Sequence, residues 1–244
     1  LPNALAKYLG EKLSCGTEIL RLEALPANQE PNSPRFRLTL RGLKGEEVVE
    51  TERLSLATPT DIVSKLLGSL DAGFSASLDA IPYSGIAVVA LGYAKQDVAD
   101  PLSGFGFLVP RSSGLSILGT VWNSSLFPGR APEGHALLTS FVGGATNAAA
   151  LDKSPEALAA QVHRELAPML GIRKDPAFSN VLIWPRAIPQ YNLGHTARIA
   201  ELNALRARFP GLYFAGNYLN GPAIGTCVEQ ALKTADEVRI SFAN

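Results

Sequence analysis

Cysteine is almost absent from this sequence: Cys15 and Cys227 stand far apart and outside any C-x-x-C pair. That excludes a disulfide framework and offers no zinc-type ligand spacing. The three histidines, His135, His163 and His195, are equally scattered, so each reads as a surface or helix residue. Charge is also scarce. Lys plus Arg and Asp plus Glu both number 22, the formal net charge is zero, and charged residues make up 18% of the chain. Nucleic-acid binding relies on clustered positive charge, and no long basic run is present, so no nucleic-acid partner is expected. No stretch of about 18 apolar residues occurs that could span a bilayer. The opening residues LPNALAKYLGEKL lack the charged start and apolar core of a secretory leader. An initiator Met is missing as well, from which an excised piece of a longer protein is expected.

What is present is apolar. Hydrophobic residues are 46% of 244, ample for a sizeable core in one large domain or two modest ones. Residues 2–13 place Leu5, Leu9 and Leu13 on a helical stripe. Strands are expected at 17–25 and 36–40, with turn chemistry over 26–34 between them, and another at 46–57. Pro59 pushes Thr58 toward an extended geometry, and Thr60 or Asp61 can cap a helix that starts there. Residues 84–144 change texture: 86–93, 105–109, 116–122 and 135–144 are strand-like runs divided by Gly, Pro and Ser, which predicts a mostly antiparallel sheet. A helix over 155–170 has Leu158, Val162, Leu166 and Leu170 on one face, Ser154 as its N-cap and Gly171 as its stop. A strand at 181–184 should end at Pro185. A helix at 195–209, a strand at 211–215 and a last helix at 222–240 complete the chain. This mixed order predicts α+β, with some α/β character.

Residues 212–228, LYFAGNYLNGPAIGTCV, carry the sharpest local signal. An apolar run ending on small residues lets another group approach the backbone of Gly216. Gly221 permits an unusual turn, and Pro222 suits a first helical turn, where a missing N–H is harmless. The N–H groups of Ala223, Ile224 and Gly225 would then point outward and, with the helix dipole, favour a ligand atom carrying negative charge. A plain strand–turn–helix crossover explains the same spacing equally well.

The segment AGNYLNGPAIGTCVEQA resembles the last flavin-contacting element of the FAD-dependent amine oxidase and protoporphyrinogen oxidase superfamily. SGFGFLVPR (103–111), ILGTVWNSSLFPGRAPEGHALLTSFVGGATN (117–147) and WPRAIPQYNLGH (184–195) resemble the oxygen-dependent protoporphyrinogen oxidase family within it, collinearly over about residues 1–238. The resemblance implies an FAD enzyme that removes hydride from the methylene bridges of protoporphyrinogen IX and passes the electrons to dioxygen. It also implies a fold: part of an FAD-binding α/β domain (1–80 and 191–244) and a mostly antiparallel substrate-domain sheet with helices (81–190). The family's G-x-G-x-x-G turn, which receives the FAD pyrophosphate, is not in this sequence. The expectation is therefore a C-terminal half, inactive alone, whose FAD is retained only with the other half.

By motif matching, Asn217, Pro222, Ala223 and Ile224 would lie against the flavin ring or its ribityl chain. Ile19 would pack against adenine, or be an ordinary strand residue. Trp184 would sit near the flavin, or be a buried packing side chain. Phe105 and Ile86 match positions lining the tetrapyrrole pocket; without the resemblance both read as core. No catalytic acid–base pair is expected, because the chemistry belongs to the cofactor. Arg111 and Arg130 could meet substrate propionates, with a solvated surface role as the competing reading. The resemblance further implies a tetrapyrrole substrate, dioxygen, and a cytoplasmic setting with peripheral association at the inner membrane face through a helical domain outside this sequence. Cut strand edges in residues 1–67 point to a homodimer or to a strand rearrangement that covers them. Rival functions are a coproporphyrinogen-oxidising relative and a non-catalytic tetrapyrrole-binding module, the latter because 84–184 is patterned well enough to bury its own core.

Overall fold

Alternating apolar positions set the first sheet. In the computed structural model, which describes residues 1–26 and 33–242, α1 (Pro2–Leu9) runs into a 3-10 turn and buries none of its residues. The expected stripe of Leu5, Leu9 and Leu13 forms only in part: Gly10, at φ 55°, ends the helix after Leu9, Leu13 lies in extended backbone past the 3-10 turn, and all three leucines stay exposed. The strands β1 (Glu18–Ala24), β2 (Phe36–Gly42) and β3 (Gly45–Thr51) then pair antiparallel in chain order. Leu22 and Leu38 face one another across β1 and β2 and, with Phe36, are buried. The turn expected over 26–34 falls mainly on 27–32, outside the described residues.

The single strand expected over 46–57 is in fact two. β3 ends at Thr51, whose hydroxyl donates to the Arg53 carbonyl (2.9 Å) and turns the chain, and β4 (Leu54–Leu56) joins a different sheet. An alternating pattern records burial but not a change of partner. Helix α2 (Thr60–Leu67) takes Pro59 in its capping position, so neither Thr60 nor Asp61 caps it as expected. Helix α3 (Ala72–Asp79) is not among the expected elements: Phe74 and Leu78 are its only large apolar residues, too few to mark a helical period. It is tied to α2, where the Ser64 hydroxyl donates to the Ser75 carbonyl (3.0 Å).

The chain divides into two compact units, one of Leu1–Pro82 with Tyr191–Asn244 and one of Tyr83–Gln190. The second unit is built on β5 (Tyr83–Ala94), β6 (Gly106–Leu108), β7 (Ile117–Trp122), β8 (His135–Gly143) and β9 (Phe178–Pro189), all antiparallel, in the order β6-β7-β8-β5-β9. A short helix, α4 (Asn123–Leu126), follows β7, and α5 (Pro155–Leu170) covers one sheet face. Ala87, Val89, Leu91 and Tyr93 of β5 join Ile117, Trp122, Leu138 and Val142 in a core completed by Leu158, Val162, Leu166 and Leu170 of α5. Helix α5 agrees with its sequence in detail. The Ser154 hydroxyl accepts from the Ala157 N–H (3.2 Å), Pro155 opens the first turn, and Gly171 ends the helix left-handed at φ 60°. Glu165 on α5 fastens the start of β7 by accepting from the N–H groups of Ser116 (3.0 Å) and Ile117 (3.2 Å).

Pro185 does not end its strand; β9 runs through it to Pro189. Two features permit this. β9 is an edge strand paired only with β5, so a missing N–H can face away from the ladder. The register also shifts there: Ile86 faces Trp184 while Ser84 faces Ile188. Gly85 sits at that irregularity, and a Cβ on it would come within 2.8 Å of the Pro185 carbonyl oxygen.

In the first unit, α6 (His195–Arg208) leads to β10 (Leu212–Phe214), which pairs parallel with β4, and α7 (Ile224–Ile240) follows. Thr234 of α7 donates to the Phe214 carbonyl (3.4 Å). The architecture is the expected α+β class: antiparallel sheets, one with a helix across it, and a small parallel pair with helices.

Candidate functional site

Because β4 and β10 are parallel, their carboxyl ends share one edge, and α2 and α7 both start there. Parallel strands followed by helices form their ligand crevices at that edge. Beyond β10 the chain turns tightly. Gly216 has φ 151°, and a Cβ on it would lie 2.7 Å from Cε1 of the fully buried Tyr218. Gly221 has φ 146° and faces Thr226 in the same way, at 3.2 Å. Asn217, between them, is half-buried, and its carbonyl accepts a hydrogen bond from the Tyr191 hydroxyl. Tyr191 in turn stacks on His195, ring centroids 4.3 Å apart.

Helix α7 begins at Ile224 with Ala223 in the capping position. Pro222 therefore precedes the helix instead of sitting in its first turn. The first helical hydrogen bond runs from the Cys227 N–H to the Ala223 carbonyl (3.0 Å). The open N–H groups are thus those of Ile224, Gly225 and Thr226, one residue later than expected. Pro222, Ala223 and Ile224 are exposed, Ile224 at 73%, so this helix start faces outward with its positive dipole end. Two further polar groups in this unit went unnoticed in the sequence. Thr58 Oγ1, just past β4, and both ring nitrogens of His195 are buried with no hydrogen-bond partner among the described residues. Buried polar atoms normally find a partner, so this arrangement fits a bound polar group better than a dry interior.

Ile19 lies apart from this turn in the secondary structure. It is half-buried in β1, opposite Leu40, in the antiparallel sheet and not in the β4–β10 pair. A cavity of about 580 Å³ in the same unit lies at the amino-terminal ends of β4 and β10, against Arg53, Gly211 and Leu212. That is the edge away from the α7 start. Of its three arginines, Arg53 pairs with Glu52 (2.5 Å), Arg206 pairs with Glu237 (2.6 Å) and Arg35 donates to the Pro210 carbonyl (3.4 Å).

In the second unit, Ile86 and Trp184 are brought together as direct cross-strand partners. Ala87, Val181 and Ile183 point into the core, so Ile86 and Trp184 share the face that α5 does not cover. Trp184 is 51% exposed, which rules out a buried packing role within this unit. The same face continues through Val88 with Leu182 and Phe141, Ala90 with Asn180 and Thr139, and Gly92 with Phe178 and Leu137. Leu108 of β6 and Val121 of β7 extend it. No Lys, Arg, Asp or Glu occupies any of these positions. Phe105, ahead of β6, is 79% exposed and held by its carbonyl, which accepts from the Trp122 N–H (3.0 Å). It is not a core residue.

Among the described residues no group of His, Cys, Asp or Glu is placed to hold a metal ion. No helix among them is long and apolar enough to cross a membrane. Comparison with known proteins supplies what the geometry leaves open. Residues 1–239 match the model of the flavin containing amine oxidoreductases. Protoporphyrinogen oxidase 1, chloroplastic, of Arabidopsis thaliana is 35% identical over 248 residues, covering 98% of this chain and 45% of the relative. Coproporphyrinogen III oxidase of Bacillus subtilis is 33% identical over 166 residues, covering 65% of this chain and 35% of the relative. A crystal structure of a candidate protoporphyrinogen oxidase from Exiguobacterium sp. 255-15 superposes with a TM-score of 0.75 at 25% identity, covering 92% of this chain and 47% of that one. The chain spans less than half the length of these relatives.

Proposed function

Since this chain belongs to the flavin-containing amine oxidoreductase family, we propose that it supplies the tetrapyrrole-facing sheet and the closing flavin contact of an FAD-dependent protoporphyrinogen oxidase. The observation that carries the substrate class is the uncovered sheet face that presents the apolar side chains Ile86, Val88, Leu182 and Trp184. A planar macrocycle buries its apolar faces against such a surface, and aromatic side chains add stacking. Phe105 is the candidate for one such stack, and Ile86 holds the macrocycle from the strand.

The α7 start suits the flavin. Its open N–H groups at Ile224, Gly225 and Thr226 donate toward the pyrimidine end of the ring, which gains negative charge on reduction. Asn217, Pro222, Ala223 and Ile224 line the ring, and Tyr191 holds the Asn217 carbonyl in place. Trp184 borders the flavin in this reading and Ile19 packs against adenine. When bound, FAD supplies the redox chemistry: it accepts hydride from the substrate and is reoxidised by dioxygen. The protein side chains orient the macrocycle and exclude water, and none is needed as an acid–base pair.

The apolar positions Ile86, Val88, Leu182 and Trp184 favour a macrocycle edge without carboxylates, which protoporphyrinogen has and coproporphyrinogen lacks. The latter carries four propionates, so its edges cannot avoid the apolar face with an unpaired carboxylate, which is costly to desolvate. Protoporphyrinogen can present its methyl and vinyl edge instead. A second reading, a binding module without chemistry, draws on the observation that Tyr83–Gln190 closes a core of its own. In the enzyme reading, peripheral membrane contact lies outside these residues and a homodimer covers exposed elements such as α1.

The test is reconstitution. The chain contains no G-x-G-x-x-G segment, so alone with FAD it is expected to retain little cofactor. Co-expressed with a relative's strand–G-x-G-x-x-G–helix half, it should yield a yellow complex that produces fluorescent protoporphyrin above the autoxidation rate. A flavin-loaded complex that oxidises primary amines and leaves both porphyrinogens untouched would overturn the reading. Flavin loading with no oxidation of any of them would favour the module.

A further inference from the structure

The uncovered face of the five-stranded sheet ends in a cavity. Its volume is about 390 Å³, and it is lined by Gly92 of β5, His135, Ala136 and Leu137 of β8, Ala177 and Phe178 of β9, and Arg130, Ala131 and Pro132 of the β7–β8 loop. Gly92, Leu137 and Phe178 belong to the same uncovered face as Ile86 and Trp184. The cavity is thus the far end of one uncovered face, apolar at both ends and crossed midway by Asn180 and Thr139 on either side of Ala90. Six residues of β5 separate Gly92 from Ile86, about 20 Å at the rise of an extended strand. Gly92 matters to its shape: a Cβ there would lie 3.0 Å from Phe178 Cβ, so its absence lets the aromatic side chain lie close across the strand.

The cavity carries a positive charge that the paired positions Ile86, Val88, Gly92, Phe178, Leu182 and Trp184 do not. Arg130 makes no ion pair among the described residues; it shares that with Arg111, Arg164, Arg173 and Arg198, and what sets it apart is its place on the cavity. Its position is fixed by backbone and not by a carboxylate. The Arg130 N–H donates to the Phe127 carbonyl (3.3 Å), the His135 N–H to Pro132 (3.1 Å) and the Lys95 N–H to Gly134 (2.8 Å), which pins the loop at both ends. The guanidinium also lies 5.9 Å from the Phe127 ring centroid. His135 stands at the same mouth, its Nδ1 within 3.0 Å of the Glu133 carbonyl. Arg111, the other arginine that could meet a propionate, sits on an exposed turn after β6.

We propose that this cavity is a docking subsite for a carboxylate side chain of the tetrapyrrole, with Arg130 binding the carboxylate and Leu137, Pro132 and Phe178 packing on the methylene arm and pyrrole edge. The proposal rests on the tetrapyrrole reading of the uncovered face. A guanidinium matches a carboxylate in a two-pronged contact, and apolar walls with one convergent polar group are the ordinary composition of a small-molecule site. The subsite lies at the end of the face remote from Ile86 and Trp184, where it receives an incoming macrocycle by its acidic edge or holds a departing one. Arg130 is a specificity residue in this scheme and takes no part in redox chemistry.

The experiment titrates the full chain with protoporphyrin IX and with its dimethyl ester, which removes both carboxylate charges, following quenching of the two tryptophans. The diacid should bind about tenfold more tightly than the ester, one factor of ten being the worth of a charge-assisted contact at a partly exposed arginine. Arg130→Met should erase that preference by weakening the diacid alone, and Arg130→Lys should keep part of it. Equal binding of diacid and ester by the unaltered chain, or an unchanged preference in R130M, overturns the subsite and leaves the tetrapyrrole reading standing. Failure of the unaltered chain to bind either compound overturns both. Should R130M not fold, the diacid-to-ester ratio of the unaltered chain and of R130K still decides.

Discussion

Gly106 offers a direct test of how the Phe105 segment is held. Its φ is 129°, and an ideal Cβ would lie 1.9 Å from the Thr120 carbonyl oxygen and 2.9 Å from the Thr120 carbonyl carbon. Both are backbone atoms of β7 and cannot swing aside, so Gly106→Ala must push β6 off its neighbour. Two costs compete. Keeping β6 in place means an unfavourable positive φ, about 1–3 kcal/mol, plus an overlap that no packed structure accepts. Releasing β6 loses the pairing of three residues, the flanking Phe105–Trp122 and Val109–Leu118 backbone bonds, and part of the packing of Phe107 on the core. At a net 0.5–1.5 kcal/mol per hydrogen bond, release costs about 3 kcal/mol. Release wins, and because β6 is an edge strand the rest of the sheet survives. Urea unfolding should show a loss of about 3 kcal/mol or less, and amide exchange at 105–109 should become fast while β5 and β8 remain protected. Gly114→Ala is the control. Its φ is 76° but nothing lies within 4 Å of the added Cβ, so it should cost only about 1 kcal/mol. A Gly106→Ala protein within 0.5 kcal/mol of the parent, with protected amides at 105–109, would refute the reasoning.

Trp184→Ala should cost about 1–2 kcal/mol of stability, well below the 3–5 typical of a fully buried aromatic, since the side chain is half exposed on an edge strand. The same change should weaken porphyrin binding about tenfold through lost stacking area, read from the porphyrin absorption band; an unchanged titration would remove Trp184 from the site. Burial first and the Asp175 carboxylate second hold the Tyr93 hydroxyl well above its ordinary value. The unfolded chain gives up that proton near pH 10 and the folded chain keeps it, so stability falls as pH rises above about 10, by up to about 1.4 kcal/mol per unit. Tyr93→Phe should flatten that part of the stability profile, measured by urea midpoints between pH 9 and 11, at the expense of the Tyr93–His163 hydrogen bond (3.1 Å).

Elements with purely local signals were legible. Helix α5 carries its cap at Ser154, its stripe of four apolar residues and its stop at Gly171 within eighteen consecutive residues, and it folds as read. Features set by partners were not. Nothing local distinguishes β3 from β4, because the change at Glu52 and Arg53 is a change of sheet. Pro185 misled because the rule against proline in strands loosens at an edge, and edge position is a property of the whole sheet. In the candidate site, the glycine spacing around Asn217 announced a tight turn. The helix start came two residues late because Ala223, not Gly221, takes the capping position. Tyr191 and Thr58 had no signal of their own: one reaches Asn217 across twenty-six residues, and the other matters only because β4 lies beside β10. Phe105 and Trp184 read by default as core because hydrophobicity says that a side chain wants covering. It does not say by what.

The two sheets of this chain show why that last point bears on function. On the exposed side of the β1–β2–β3 sheet, cross-strand neighbours are charged pairs: Arg37 opposite Glu50 and Arg41 opposite Glu46, at 2.7 and 2.8 Å. That is how a solvated sheet face is ordinarily furnished, with polar residues alternating against the core. On the uncovered side of the five-stranded sheet the corresponding neighbours are Ile86 with Trp184, Val88 with Leu182, Ala90 with Asn180 and Gly92 with Phe178, none of them a charged pair. Both sheets are antiparallel, so neither geometry nor composition of the chain as a whole forces the difference. Apolar area left in water costs about 25 cal/mol per Å², and the second face spends that on every strand. A face that only had to meet solvent would be furnished like the first. The contrast within one molecule is what the proposed tetrapyrrole reading explains: the second face is furnished to meet an apolar partner, and Arg130 stands at its rim.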